Sequence, residues 1–262
     1  MSEPTQGAAG QAPPVCPRHP DRVSYVRCQR CERPVCPQCQ VPAPVGVLCV
    51  DCVRAANQAA RTSRTGLGFP RAPGRPYVTL GIIAANVAFY VYGIGAGLYR
   101  WQTTWGLWPA ASDQEPWRWV TSGFVHGGLW HIGLNMFVLY QFGSELERVM
   151  GRLRFGLLYG LSLLGGSAAI QALAAPNSLH IGASGAVFGL FGAYGLLLYK
   201  LKLPWQSMAA TAGIWLAVGF FLPSISWEGH IGGLVIGTLT MVTMLRLAGQ
   251  SPFGRASTSQ RK

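Results

Sequence analysis

From Tyr77 to Leu247 the chain alternates long apolar runs with short polar breaks, and the runs approach the ~20 residues a helix needs to cross hydrocarbon. Six runs read as membrane helices: Tyr77–Leu98, Trp130–Gly143, Leu153–Ala174, Ala183–Leu201, Ser207–Leu222 and Gly229–Leu247. The second is short, but weakly polar residues on both sides extend it to a full span. Nothing before Cys16 has the apolar core of a signal peptide, so the first membrane helix is expected to act as its own insertion signal. The pattern predicts an all-α, polytopic six-helix bundle over residues 77–247, preceded by a small cytosolic domain at 16–52. Residues 1–15 have a disordered-tail composition. Residues 53–76 read as a flexible linker rich in Ala, Arg, Gly, Pro, Ser and Thr, and 248–262 as a basic tail.

Composition supports this reading. Only 11% of residues are charged, against roughly a quarter in soluble domains. The net charge of +12 raises nucleic acid as a partner, but its distribution argues for a membrane. With the N-terminus inside, every Lys and Arg except Arg100 and Arg118 falls on the cytoplasmic side. Arg148, Arg152 and Arg154 follow the second helix, Lys200 and Lys202 the fourth, and Arg255, Arg261 and Lys262 the last. This positive-inside pattern orients both termini to the cytoplasm of a multi-pass protein, read here as one of a bacterial plasma membrane. Anionic lipid head groups account for the remaining basic excess. No stacking aromatics accompany the basic residues, so nucleic acid is not expected as a partner. Trp101, Trp105, Trp108, Trp117 and Trp119 lie between the first two helices, more than half of the nine tryptophans, and predict a segment lying in the outer leaflet.

All seven cysteines fall between Cys16 and Cys52. With one histidine they form four pairs of constant gap: Cys16 and His19, Cys28 and Cys31, Cys36 and Cys39, Cys49 and Cys52. A two-residue gap lets neighbouring side chains grip one tetrahedral ion, and eight ligands fill two zinc sites. An odd cysteine number and a cytosolic location argue against disulfides. Interleaved and sequential pairings use the same residues. So short a chain buries little core, so metal would supply most of its folding free energy, and the module is expected to be structural or to bind a cytosolic protein partner.

Topology gathers the remaining chemistry. Helices two, four and six run in one direction, so His131, Ser184 and His230, which open them, share one depth on one face. An imidazole inside an apolar run is expensive and points to function. An adjacent base activates a serine hydroxyl, and fixed donors hold the negative intermediate. His131 and Asn135, four residues apart, share a helix face; the backbone N–H of Ser184 is a third donor. No carboxylate is available to orient His230, so a Ser–His dyad is expected. Small residues at Gly182, Gly185, Gly233 and Gly237 allow close helix approach. His126 reads as a structural hydrogen-bonder and His180 as an ordinary loop histidine.

Residues 77–247 resemble the rhomboid family of intramembrane serine proteases. The resemblance rests on Trp117-Arg118, His126-x4-His131-x3-Asn135-Met136, Gly143-x3-Glu147, Gly182-x-Ser184-Gly185 and His230-x2-Gly233-x3-Gly237, in family order. It implies Ser184 as nucleophile, His230 as base, and His131 with Asn135 as oxyanion donors. Phe188 stands where family members often carry a Tyr stacked on the base. The implied activity is cleavage of transmembrane protein substrates near the outer end of their spans, at sites with helix-breaking and small residues. Residues 16–52 resemble a B-box-type zinc finger, which implies interleaved sites: Cys16, His19, Cys36 and Cys39 on one Zn2+, and Cys28, Cys31, Cys49 and Cys52 on the other.

Two rival functions are weighed against peptidase activity. A non-catalytic rhomboid-like protein binding membrane clients usually lacks the serine or histidine, and both are present. A metalloprotease would need an H-E-x-x-H helix, which the membrane part lacks.

Overall fold

A computed structural model describes residues 12–62, 69, 74–222 and 225–252 of the 262. The chain divides into two units, Met1–Ser63 and Arg64–Lys262.

Cysteine takes the place of an apolar core in the first unit. Hairpin β1 (Val15–Cys16) with β2 (His19–Val23) and hairpin β3 (Gln40–Pro42) with β4 (Val47–Cys49) are both antiparallel. They are followed by helix α1 (Val50–Thr62). The buried cluster consists of Val35 and six cysteines, with Cys31 partly buried beside them. Helix α1 covers the first part, to Thr62, of the linker expected over 53–76. Its first turn carries Cys52, held in the cluster, and Asp51, which favours the positive helix end and pairs with Arg18 at 2.9 Å. Alanine-rich sequence then propagates the helix. The expected tail before residue 12, most of 63–73, and the basic tail with Arg255, Arg261 and Lys262 lie outside the described residues.

The second unit is helical. Helix α2 (Tyr77–Gly95) is followed by α3 (Leu98–Trp105) and the short α4 (Arg118–Thr121). A continuous helical stretch over 129–150 consists of α5 (Leu129–Val138), a π-helical turn (Leu139–Gly143) and α6 (Ser144–Met150). Then come α7 (Arg152–Leu173), α8 (Ser184–Lys200), α9 (Gln206–Phe221) and α10 (Trp227–Leu247). By length and composition α2, α7 and α10 can each cross a membrane, and α9 is a shorter apolar helix. The second predicted run extends past Gly143 because its polar end is still helical. Glu147 of α6 is buried and accepts hydrogen bonds from Val78 N–H (3.0 Å), Thr79 N–H (2.8 Å) and Thr79 Oγ (2.8 Å). A carboxylate thereby caps two of the four orphan donors at the start of α2.

The segment between α2 and α5 is more ordered than a membrane-lying loop requires. Trp101 of α3 packs with tilted rings against Phe89 at 4.7 Å and Tyr92 at 5.0 Å between centroids. Arg118, buried, donates to the carbonyls of Thr103 (3.0 Å) and Gly106 (2.6 Å) and pairs with Glu115, which ties α4 to the end of α3. Helix α8 is the centre of the unit. Ala186 to Leu190 are all buried, the burial expected of a helix apolar on every side. It packs with α7 and α10. Helix α9 buries only Met208, Ala212 and Gly219.

Candidate active site

The turn before α8 delivers the serine. Gly182 has φ +121°, open to glycine but strained for other residues, and its backbone N–H donates to the Ser122 carbonyl at 2.9 Å. A β-carbon there would lie 2.6 Å from His131 Nε2 and 3.7 Å from Ser184 Oγ. The missing side chain keeps the imidazole and the hydroxyl facing one gap. Ser184 is then the first residue of α8.

His230 comes from the first turn of α10, and its Nε2 lies 2.9 Å from Ser184 Oγ. The ring is buried and stacked on Phe188 at 4.1 Å between centroids and 15° between planes. Phe191 meets Phe188 edge-on at 5.4 Å. His230 Nδ1 is buried without a hydrogen-bonding partner among the described residues, so a stacked aromatic, not a carboxylate, orients the ring. The approach depends on glycine. Built β-carbons at Gly233 and Gly237 would lie 1.8 Å from Gly185 O and 2.4 Å from Gly189 Cα.

His131 accepts the Gly127 backbone N–H through Nδ1 at 3.2 Å. The network therefore assigns the proton to Nε2, on the side of Gly182 and Ser184. His126, buried, meets His131 edge-on at 5.0 Å and contacts the Phe124 carbonyl through Nδ1 at 3.3 Å, so it buttresses the first ring. Asn135 is buried on the same helix as His131. Its amide donates at 2.9 Å to the His131 carbonyl, and the second N–H of that amide is the one left for a ligand. A cavity of about 20 Å³ beside Ser184, lined by Ser122, Gly182, His180, Ser226 and Gly229 among others, has room for one water. A larger one, about 460 Å³, lies along α8, α9 and α10 away from the serine.

Two site features escape sequence reasoning. Glu147 enters the sequence reading within the Gly143-x3-Glu147 motif without a structural role, and His180 as an ordinary loop histidine. His180 in fact hydrogen-bonds two serines from different segments, Ser178 and Ser226, at 2.7 Å each. Burial lowers its pKa from the usual histidine value, with Glu228 opposing.

The eight candidate metal ligands group as Cys16, His19, Cys36, Cys39 and as Cys28, Cys31, Cys49, Cys52, the ligand atoms of each set within 4.8 Å of one another. His19 Nδ1 lies 3.3 Å from both Cys36 Sγ and Cys39 Sγ and 4.0 Å from Cys16 Sγ; Cys31 and Cys49 sulfurs are 3.8 Å apart. A tetrahedron with metal–sulfur bonds of about 2.3 Å has edges of about 3.8 Å, so the donor sets fit a four-coordinate ion. Backbone hydrogen bonding, that from Cys36 first, pulls the Cys16 thiol down to about 6. Burial, with Cys16 and Cys36 alongside, pushes Cys39 up to about 11. Crowded thiolates oppose one another until a cation joins them.

The family model described as the Rhomboid domain matches residues 113–247, slightly more than half of the chain. The chain belongs to the rhomboid family. This rhomboid is 40% identical over 130 residues to "RHOMBOID-like protein 6, mitochondrial" of Arabidopsis thaliana, covering 47% of this chain and 42% of that protein. Over 173 residues it is 30% identical to "Rhomboid protease GlpG" of Photorhabdus laumondii, covering 62% and 59%. Over 201 residues it is 28% identical to "Rhomboid-related protein 3" of Homo sapiens, covering 65% and 49%. The chain spans about half the length of these curated relatives. Rhomboid proteases are serine peptidases acting on membrane proteins in the bilayer, and the family also has inactive members. This rhomboid is accordingly a membrane protein, with two Cys/His clusters able to hold metal ions.

Proposed function

We propose that this rhomboid is a serine endopeptidase that cuts the transmembrane segment of another membrane protein near the membrane face at which α5, α8 and α10 begin. The observation that carries the reading is the 2.9 Å contact between Ser184 Oγ and His230 Nε2 in a buried, glycine-packed site. His230 Nε2 takes the hydroxyl proton as Ser184 Oγ attacks the scissile carbonyl. The negative oxygen that forms receives N–H donors from His131 Nε2, the Asn135 amide and the Ser184 backbone. His230 returns the proton to the departing amine, which leaves an ester on Ser184. Water, activated by the same imidazole, then hydrolyses the ester. The cavity beside Ser184 supports local storage of that water.

The substrate backbone has to be extended at the cut, because a helix hides its carbonyls in hydrogen bonds. Segments with Gly or Pro near the cut and small residues at it meet that requirement. The positive-inside distribution supports six spans with both termini cytoplasmic, and the tryptophans around α3 support an outer-leaflet anchor. Labelling of purified protein with a serine-reactive fluorophosphonate tests the reading. Incorporation at Ser184, abolished by Ser184→Ala, is expected. An unlabelled wild-type chain would favour a client-binding rhomboid instead.

For the N-terminal unit we infer two structural Zn2+ ions, held by the two interleaved sets, with a cytosolic protein as partner. The sulfur-rich donor sets and their tetrahedral spacing support zinc.

A further inference from the structure

The loop between α7 and α8 holds a histidine that the proposed chemistry does not use. His180 pairs its backbone with Leu107 in both directions at 2.9 Å, so its main chain is fixed. Its Nε2 lies 2.7 Å from Ser178 Oγ, which also lies 2.6 Å from the Ala175 carbonyl. Its Nδ1 lies 2.7 Å from Ser226 Oγ, which is 3.4 Å from a Glu228 carboxylate oxygen. A hydroxyl has one proton to give. Ser178 gives its proton to the Ala175 carbonyl, so His180 Nε2 donates. Ser226 has one proton for two acceptors, and the neutral ring's Nδ1 at 2.7 Å takes it ahead of the Glu228 carboxylate at 3.4 Å.

Both ends of this bond matter. His180 stands two residues before Gly182, in the loop that leads into Ser184. Ser226 is the residue at the start of α10, and its carbonyl accepts the His230 N–H at 3.2 Å. Neither α8 nor α10 has a side-chain hydrogen bond capping its own N-terminus. First turns without caps fray. Gly185 and Gly229 bring these first turns together, a built β-carbon on Gly185 lying 3.2 Å from the Gly229 carbonyl oxygen. The His180–Ser226 bond adds the side-chain tie between the loop ahead of Ser184 and the start of α10.

We propose that His180 is a positioning residue that bolts the loop leading into Ser184 to the first turn of α10, and so sets the register between the serine and His230. The proposal rests on the Ser184–His230 reading for its consequence, while the bolt itself is a contact independent of chemistry. A displacement of about 1 Å between reacting groups costs on the order of 10²-fold in rate.

The test uses the full chain in proteoliposomes with a defined transmembrane substrate. His180→Ala should lower kcat by roughly 10- to 100-fold while KM stays within about twofold. His180→Asn, whose Oδ1 can stand in for Nδ1 toward Ser226, should recover to within about threefold of wild type, and Ser226→Ala should behave like His180→Ala. Wild-type kcat in His180→Ala, or no recovery in a folded His180→Asn, would overturn the proposal. A second measurement needs no activity. In a Ser184→Ala background, His180→Ala should speed hydrogen exchange at the amides of residues 230–232 by about tenfold, with amides 238–247 unchanged. Unchanged exchange at 230–232 would overturn the bolt. Faster exchange in a chain whose wild type is inert would uphold the bolt and remove the peptidase reading.

Discussion

A β-carbon on Gly233 would lie 1.8 Å from the carbonyl oxygen of Gly185, so α8 and α10 touch backbone to backbone beside the serine and histidine they carry. The distance between Ser184 and His230 is therefore a property of two glycines as much as of the reacting side chains. Overpacking of this kind costs about 1–3 kcal/mol when neighbours can shift, and here the neighbour is main chain. Gly233→Ala should lower the unfolding temperature in detergent and reduce cleavage by at least about 10²-fold. Thermal unfolding followed beside a cleavage assay checks both, and wild-type behaviour in either would contradict the packing account.

The oxyanion donors should act separately from the dyad. Loss of one such donor typically costs about 10²–10³ in kcat. Asn135→Ala and His131→Ala are expected to slow acylation without abolishing it. The effect of His131→Ala should be the larger, because its Nε2 already faces the gap beside Ser184, whereas the Asn135 amide also serves the His131 carbonyl. Single-turnover rates measure this directly; unchanged rates in both variants would exclude this helix face as the oxyanion site.

Much of the candidate site was legible because the costs involved are local. An imidazole in an apolar run is expensive wherever the run folds, so His131 and His230 stood out at once. A strict two-residue gap between ligands survives any fold, so the eight metal-site residues did too. What escaped depends on partners far apart in sequence. Glu147 caps a helix whose first turn lies 68 residues away, at Thr79. His180 meets Ser226 46 residues on. Neither contact leaves a periodic trace. Helix α1 was missed for another reason: its Ala, Arg and Thr content matches a linker, while Val50, Val53 and Ala56 recur at helical spacing beside Cys52 and its start is anchored by the cysteine cluster.

Glu147 should matter for folding more than for chemistry. Hydrogen bonds to a charged acceptor contribute about 1.5–3 kcal/mol, and three donors converge on this carboxylate. Glu147→Ala should destabilise the protein by about that amount, and Glu147→Gln by less, since its amide keeps one acceptor. Unfolding in detergent at fixed pH reads the difference. Equal stability of all three proteins would show that the start of α2 is held by other means.

The metal reading predicts two zinc ions per chain, measured by elemental analysis of purified protein. Cys28→Ser should remove one ion and leave the Cys16, His19, Cys36, Cys39 set filled. Acidification should release both, because protons compete for the thiolates. A truncated chain starting near Arg71 should keep basal cleavage in detergent, as no ligand of either set lies in the second unit. A metal content near zero would remove the zinc assignment.

The most direct test of the central claim is cleavage of a defined transmembrane substrate by purified protein in liposomes, comparing wild type with Ser184→Ala and His230→Ala. The account predicts turnover by the wild type, none above background in either variant, and unchanged thermal unfolding in Ser184→Ala. Full activity in either folded variant would contradict the Ser184–His230 dyad.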